Sequence, residues 1–166
     1  NTTELRRVLD HIATRKHSAR NRCALLLTHY CGMRVGEVAA LRICDVLNDS
    51  GTIKDEIRLK PEQTKGKYAR TVYINARMQK EIAQYIKLLH ITDINKPLFY
   101  TQKRAGFSAN TLTQYFHFLY RRAGLEGCSS HSGRRSFLTS LANANPKTTI
   151  CTTGIPSRMN IVRLSR

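Results

Sequence analysis

The chain has 166 residues, the length of one ordinary domain, and 41% of them are hydrophobic, which is enough to bury a core. Lys and Arg number 28 against 11 Asp and Glu, which gives a formal net charge of +17. A positive excess of this size repels itself unless a polyanion shares the surface, so the charge favours a nucleic-acid partner. The sequence contains no apolar run of about eighteen residues and no signal-peptide core near residue 1, which predicts a soluble, cytoplasmic protein without a membrane segment.

Five cysteines are scattered along the chain, and their number and spacing argue against two kinds of site. They are Cys23, Cys31, Cys44, Cys128 and Cys151. The number is odd and the sequence has no CxxC pair, so neither a disulfide framework nor a zinc site is predicted. HExxH and P-loop patterns are also missing from the sequence, and no metal or nucleotide cofactor is predicted.

Hydrophobic periodicity predicts two helices in the first part of the chain. Apolar residues recur at helical spacing from Leu5 to Ile12, after a threonine that can cap the helix. A second helix is predicted from about Ala19 to Cys31, and Gly32 is a plausible stop signal for it.

The pattern then changes from helix to strand. A tight joint at residues 33–34 leads into a short helix that carries Val38, Ala39 and Leu41. Residues 52–60 and 69–74 alternate in polarity or are β-branched, and the polar segment QTKGKY lies between them. This arrangement predicts a β-hairpin that forms a small antiparallel sheet.

The second half of the sequence is predicted to be helical again. Asn75 caps a helix that reaches about His90, and a long amphipathic helix runs from about Asn110 to Arg122. The segment HSGRRSFLTSLANA begins a final helix. The predicted fold class is therefore α+β, a mainly helical single domain over residues 1–166 built around a small hairpin sheet.

Three short segments place basic residues at structural joints. Arg34 follows a helix stop in GMRVGEVAALR, and Lys65 lies at the hairpin turn in TKGKYARTVYI. His131 and Arg134 lie three positions apart at a helix start in HSGRRSF, so they share one face. Each residue alone has an ordinary structural explanation: a surface arginine, a solvated basic turn shared with Lys67, or a histidine that caps a helix.

Taken together, the three segments resemble a known family. GMRVGEVAALR resembles the first arginine box of the tyrosine recombinases, or phage integrases, and TKGKYARTVYI resembles their β-hairpin lysine segment. HSGRRSF is similar to their H-x-x-R box, and the order and spacing of the three boxes agree over residues 32–137. The resemblance implies the fold of their catalytic domain, double-stranded DNA as the partner, association with the nucleoid, and DNA integration or recombination as the function. It leaves a homo-oligomer on DNA open, and it does not extend to the family's N-terminal DNA-clamping (core-binding) domain.

The resemblance also implies roles for individual residues. Arg34 and Arg134 would bind the scissile phosphate, because guanidinium groups offer fixed, charged forks to its oxygens. Lys65 would protonate the departing 5′ oxygen, His131 would transfer a proton or hold the phosphate, and Glu37 would orient Arg34. Further DNA contacts are expected from three more basic residues: Lys67, Arg70 and Arg135. Since side chains supply the positive charge, no metal is required, and one phosphate must meet the catalytic four on one concave surface.

The end of the sequence departs from the family, which closes with a second histidine or tryptophan and a tyrosine nucleophile. Tyrosines occur at positions 30, 68, 73, 85, 100, 115 and 120, and none follows His131. Residues 144–166 are atypical, with Ile155 where the histidine would stand and Leu164 where the tyrosine would stand. Isoleucine has no proton to exchange and leucine has no oxygen to attack phosphorus, so the chain is predicted to bind DNA without cleaving it.

Three functions stay open at the level of sequence. The first is a tyrosine recombinase catalytic domain, whose activity a downstream tyrosine in the native reading frame would restore. The second is a non-enzymatic DNA-binding or regulatory protein that reuses the recombinase scaffold. The third is an RNA-binding domain, which is weaker because few aromatic residues cluster with the basic ones.

Overall fold

A computed structural model describes residues 2–103 and 105–144 of the chain. Within these two stretches the chain forms seven α-helices, two strands and one short 3-10 helix at Pro61–Gln63. Their bounds are α1 Thr2–Ala13, α2 Ser18–Tyr30, α3 Val35–Ala39, α4 Ile43–Val46, β1 Glu56–Leu59, β2 Arg70–Tyr73, α5 Ala76–Ile86, α6 Ala109–Arg122 and α7 Ser132–Ala144. The predicted α+β class, mainly helical with a small antiparallel sheet, is confirmed.

Helix α2 is the centre of the fold. Its residues 23–28 are all buried, which is the pattern of a helix surrounded by other elements rather than one with a solvated face. It contacts α1, α3, α5 and α7. The predicted end of this helix is confirmed, since Gly32 directly follows the cap residue Cys31 and adopts a left-handed φ of 59°.

The two strands form an antiparallel hairpin with a continuous register from Glu56 opposite Tyr73 to Leu59 opposite Arg70. Both strands are shorter than the predicted 52–60 and 69–74. The predicted first strand is interrupted because residue 53 forms only an isolated bridge with residue 47. Beyond β1 the chain turns into the 3-10 helix at Pro61, whose missing N–H cannot extend the ladder.

Two helical boundaries differ from the prediction. Helix α5 begins after Asn75, whose side chain accepts a hydrogen bond from the Met78 amide at 2.9 Å, but it ends at Ile86 rather than near residue 90. After Ile86 the Leu88 and Leu89 amides donate to carbonyls three residues earlier, as in a turn. The apolar spacing that predicted a longer helix therefore continues into turns rather than α-helix. Helix α4 was not predicted, because four residues are too few to show a helical period.

The C-terminal helices place the last sequence box. Helix α6 begins after Ser108, whose hydroxyl accepts a hydrogen bond from the Thr111 amide at 3.1 Å, and it ends shortly before Gly124. Helix α7 follows and lies against α2. The predicted correspondences at Ile155 and Leu164 fall outside the described residues.

Three further features of the described residues concern membrane-spanning helices, clusters of metal ligands and the reactivity of cysteine thiols. No helix formed by these residues is long and apolar enough to cross a membrane. Nor do residues 2–103 and 105–144 contain a group of three or more His, Cys, Asp or Glu residues that could hold a metal ion. Cys23 and Cys31 are buried free thiols, and burial raises the pKa of Cys31 to about 12, so it is a poor nucleophile at neutral pH.

Candidate active site

Arg34 occupies the joint between α2 and α3 and is fixed there by Glu37. The Arg34 backbone is extended and precedes the first turn of α3. Its amide donates to Glu37 Oε2 at 2.7 Å, and its guanidinium Nη1 donates to Glu37 Oε1 at 3.1 Å. The side chain of Arg34 is 42% exposed, whereas that of Glu37 is 0% exposed. The carboxylate therefore lies beneath an arginine whose outer side faces solvent.

A second arginine, Arg70 at the start of β2, shares the same carboxylate. Its Nε donates to Glu37 Oε1 at 3.0 Å, and its Nη2 donates to Glu37 Oε2 at 2.6 Å. This two-point geometry is the strong form of an arginine–carboxylate pair. It ties the hairpin to α3.

The environment of Glu37 keeps its carboxyl group ionised. Burial alone would raise its pKa, but hydrogen bonds from Arg70 and from the Arg34 amide, together with the charge of Arg70, hold the pKa below its usual value. A buried carboxylate with these partners carries its negative charge at neutral pH. Glu37 therefore acts as a fixed anionic anchor for two arginines.

Close packing of glycines brings the start of α7 against the end of α2. A Cβ added at Gly133 would lie 3.0 Å from the Cβ of Thr28 and 2.8 Å from Cδ2 of His29, and still nearer to the Thr28 hydroxyl. A Cβ added at Gly32 would lie 2.6 Å from Cε1 of Phe137. Both glycines thus permit an approach that any larger residue would block.

Arg134 reaches the same region from α7. Its Nη1 donates to the Gly32 carbonyl oxygen, two residues before Arg34. The pKa of Arg134 is lowered from its usual value, first by burial and then by the positive charges of Arg34 and Arg70, while Glu37 acts in the opposite direction. Glu37 thus contacts Arg34 and Arg70 directly and interacts with Arg134 through its charge, and these four residues are here called the arginine cluster.

Lys65 and Lys67 lie on the exposed loop that joins the two strands. The loop is anchored where it leaves the 3-10 helix, because the Gln63 amide nitrogen donates to the Ala40 carbonyl at 3.0 Å and to Asp45 Oδ2 at 2.8 Å. Its other end is anchored by the pairing of Arg70 with Glu37. The loop is therefore held at both ends to the α3–α4 region that carries Arg34.

His131 and Arg135 are exposed at the start of α7. The His131 amide donates to the Ser129 hydroxyl at 3.3 Å, and the His131 carbonyl accepts the Arg135 amide at 2.9 Å. The backbone of His131 thus opens the helix and leaves its imidazole at the surface.

The predicted site residues fall into two groups. Contacts and charge unite the first group, Arg34, Glu37, Arg70 and Arg134. The second group lies on two exposed segments, the hairpin loop and the start of α7, and consists of Lys65, Lys67, His131 and Arg135.

Sequence reasoning did not identify two residues that shape this site. Gln63 anchors the hairpin loop through a contact that no local pattern reveals. Gly133 carried a usable signal, since a glycine in the first turn of a helix lowers helix propensity and indicates a close approach.

The tyrosines near the site differ in accessibility. Tyr120 is 3% exposed, and its hydroxyl lies 3.0 Å from Nε2 of His29, whose pKa burial lowers to about 4. Burial also raises the pKa of Tyr120, so its phenol stays protonated. Tyr68, in contrast, is 71% exposed on the loop that carries Lys65.

A sequence model described as "Phage integrase family" matches residues 1–151. The chain belongs to the phage integrase family. Among solved structures, XerA recombinase aligns with a TM-score of 0.71 and 24% identity, over 87% of this chain and 49% of that one. The XerH site-specific recombinase bound to difH substrate gives a TM-score of 0.63 and 26% identity, over 88% of this chain and 43% of that one. The integrase from mycobacterium phage Brujita gives a TM-score of 0.61 and 22% identity, over 86% of this chain and 43% of that one.

These comparisons confirm the predicted family and the fold of a tyrosine recombinase catalytic domain. This integrase-family chain spans about half, or somewhat less, of the solved structures that it matches. No curated protein matches its sequence significantly.

Proposed function

We propose that this chain is the DNA-binding catalytic core of a site-specific recombinase or integrase. In this proposal Arg34 and Arg134 hold the phosphate at which strands are exchanged. The observation that supports it most is the arginine cluster itself. Arg134 donates to the Gly32 carbonyl two residues before Arg34, and the positive charge of Arg34 helps to lower the pKa of Arg134, so an anion bound by both arginines would relieve their repulsion.

The charge balance of the cluster fits a phosphodiester. Contacts join the guanidinium groups of Arg34 and Arg70 to the carboxylate of Glu37, and Arg134 interacts with these three residues through its charge. Three positive charges against one negative charge leave an excess that a DNA phosphate can share. Arginine suits this task because its fork is permanently charged and can donate two hydrogen bonds to one oxyanion.

The exposed basic residues beside the cluster extend the proposal to the rest of a DNA duplex. Lys65 and Lys67 on the hairpin loop, and His131 and Arg135 at the start of α7, are available to neighbouring phosphates. We assign Lys65 to protonation of the leaving oxygen and His131 to proton transfer or phosphate binding. Double-stranded DNA is the proposed partner, with nucleoid association as the consequence.

Cleavage of DNA needs a nucleophile, and we do not expect these 166 residues to supply one. The family's nucleophile is a tyrosine, and no tyrosine follows His131 in this sequence. The arginines stabilise charge on the phosphate oxygens but cannot replace an attacking oxygen. The presence of Ile155 and Leu164 where the family would carry its second histidine and its tyrosine favours a second candidate function, a DNA-binding or regulatory protein on the recombinase scaffold. A covalent DNA adduct would exclude that second candidate.

DNA binding by charge-removal variants tests the proposed site. Arg34→Gln and Arg134→Gln should each weaken binding to a short duplex by about tenfold, because each loses a charge-assisted hydrogen bond to phosphate. Lys80→Gln is the matched control, since it removes the same charge from an exposed position on α5. Equal affinities for all three variants would refute the proposed phosphate site.

A further inference from the structure

The carboxylate of Glu37 is shared unequally between its two arginines. Arg70 contacts both of its oxygens, at 3.0 and 2.6 Å. The guanidinium of Arg34 contacts it once, at 3.1 Å. The stronger partner is therefore Arg70, which lies on the hairpin, and not Arg34, which lies on the same helical turn as Glu37.

This inequality has a consequence for Arg34. A guanidinium bound at two points by a carboxylate uses two of its N–H donors there. Its positive charge is also largely balanced, so it attracts another anion less strongly. Among the described residues, the Arg34 guanidinium makes its one hydrogen bond through Nη1, which leaves Nε and Nη2 for another anion, and its side chain is 42% exposed. The structure thus leaves Arg34 held in place but still able to bind a phosphate.

We propose that Arg70 is a positioning residue that keeps Arg34 available to phosphate by occupying the carboxylate of Glu37. The proposal rests on the proposed function, in which Arg34 contacts DNA. It differs from a direct DNA contact by Arg70, whose Nε and Nη2 donate to the buried Glu37. It also links the hairpin to Arg34, because a movement of β2 would change how strongly Glu37 attracts the Arg34 guanidinium.

Removal of Arg70 should therefore disable Arg34 indirectly. The side chain of Glu37 is 0% exposed, so solvent cannot replace the lost partner. Arg34 is then the nearest available counter-charge, and Glu37 draws its guanidinium into a two-point pair. We expect Arg70→Gln to weaken binding to a short DNA duplex by about tenfold, as Arg34→Gln does.

A second substitution separates this mechanism from the alternatives. Glu37→Gln in the Arg70→Gln background removes the carboxylate that captures Arg34, while the substituted amide oxygen can still accept the Arg34 backbone N–H that starts α3. The double variant also has the same formal net charge as the wild-type chain, because one positive and one negative charge are lost. We expect it to recover most of the lost affinity.

Protonation supplies an independent measurement. Arg70 is a main cause of the lowered pKa of Glu37, so its removal lets burial raise that pKa. In Arg70→Gln, acidification that protonates Glu37 should release Arg34 and restore affinity relative to neutral pH. The ratio of variant to wild-type affinity removes the contribution of other titrating groups. The double variant should show no such change in this ratio.

Each outcome supports or overturns a defined claim, with fluorescence anisotropy on a labelled duplex as the assay and circular dichroism as the check of folding. If Arg34→Gln binds like the Lys80→Gln control, the proposed function is wrong. If Arg34→Gln is weakened but Arg70→Gln is not, the positioning role is wrong. If Arg70→Gln is weakened and Glu37→Gln does not restore binding, Arg70 contacts DNA directly or serves only the fold, and the proposal is overturned.

Discussion

Substitution of Gly133 by alanine tests the contact on which the position of Arg134 depends. The added methyl group would lie 2.8 Å from Cδ2 of His29 and 3.0 Å from the Cβ of Thr28. Both neighbours belong to the buried or partly buried side of α2, so they cannot move aside as a surface side chain would. The start of α7 must therefore shift away from α2.

The expected magnitude follows from two opposing effects. A methyl group forced into a packed interface costs about 1–3 kcal/mol of folding free energy. Alanine in a helix recovers about 0.5–1 kcal/mol relative to glycine. The clash is the larger effect, so we expect a net loss of about 1–2 kcal/mol and a fall of several degrees in Tm.

Thermal and urea unfolding, followed by circular dichroism, measure this loss. Gly36→Ala is the matched control, because its added methyl would meet the Cβ of Ala109 at an ordinary 3.5 Å. That variant should be as stable as the wild-type chain or slightly more stable. DNA affinity of Gly133→Ala should also fall, because Arg134 follows Gly133 directly. Unchanged stability and unchanged affinity in Gly133→Ala would refute the close approach of α7 to α2.

Three further predictions concern chemistry, salt and pH. A nicked suicide DNA substrate should trap no covalent adduct with these 166 residues; an adduct that disappears in Tyr68→Phe would show that the exposed loop tyrosine attacks phosphorus. Binding to duplex DNA should be weak, poorly sequence-specific and steeply salt-dependent, and an affinity that ignores salt would contradict phosphate-dominated binding. The His29 pKa, lowered by burial to about 4, is below its unfolded value of about 6.5, so its contribution to stability is present above about pH 6.5 and is lost as pH falls towards 4. About 2 kcal/mol should be lost by about pH 5, and urea midpoints for wild-type and His29→Gln should show that this part of the pH dependence is absent in the variant.

The sequence by itself determined the elements whose signals are local. The apolar spacing of α1, the glycine that follows α2 and the Asn75 cap of α5 each act within a few residues, and the structure confirms all three. The alternation of the strands predicted the hairpin, although not its length. The family also followed from sequence, because three short boxes in the right order are together far more specific than any one of them.

Local signals failed where an element depends on a partner distant in the chain. Helix α5 ends at Ile86 although its apolar spacing continues, and α4 is too short to show a period at all. The first strand is shortened because its neighbours in space, not its own residues, decide where the ladder begins.

Only the tertiary structure decided which basic residues pair with other groups of the protein and which stay exposed. A DNA contact by Arg70 stays a prediction, and the structure adds that its guanidinium pairs with Glu37, 33 positions away. Arg134 donates to a carbonyl 102 positions away, and that contact exists because two glycines let α7 approach α2. Sequence specifies that an arginine is charged, but the partner of that charge is set by which segments fold against each other. The burial of Glu37 then strengthens its two-point pairing with Arg70, because water cannot compete there.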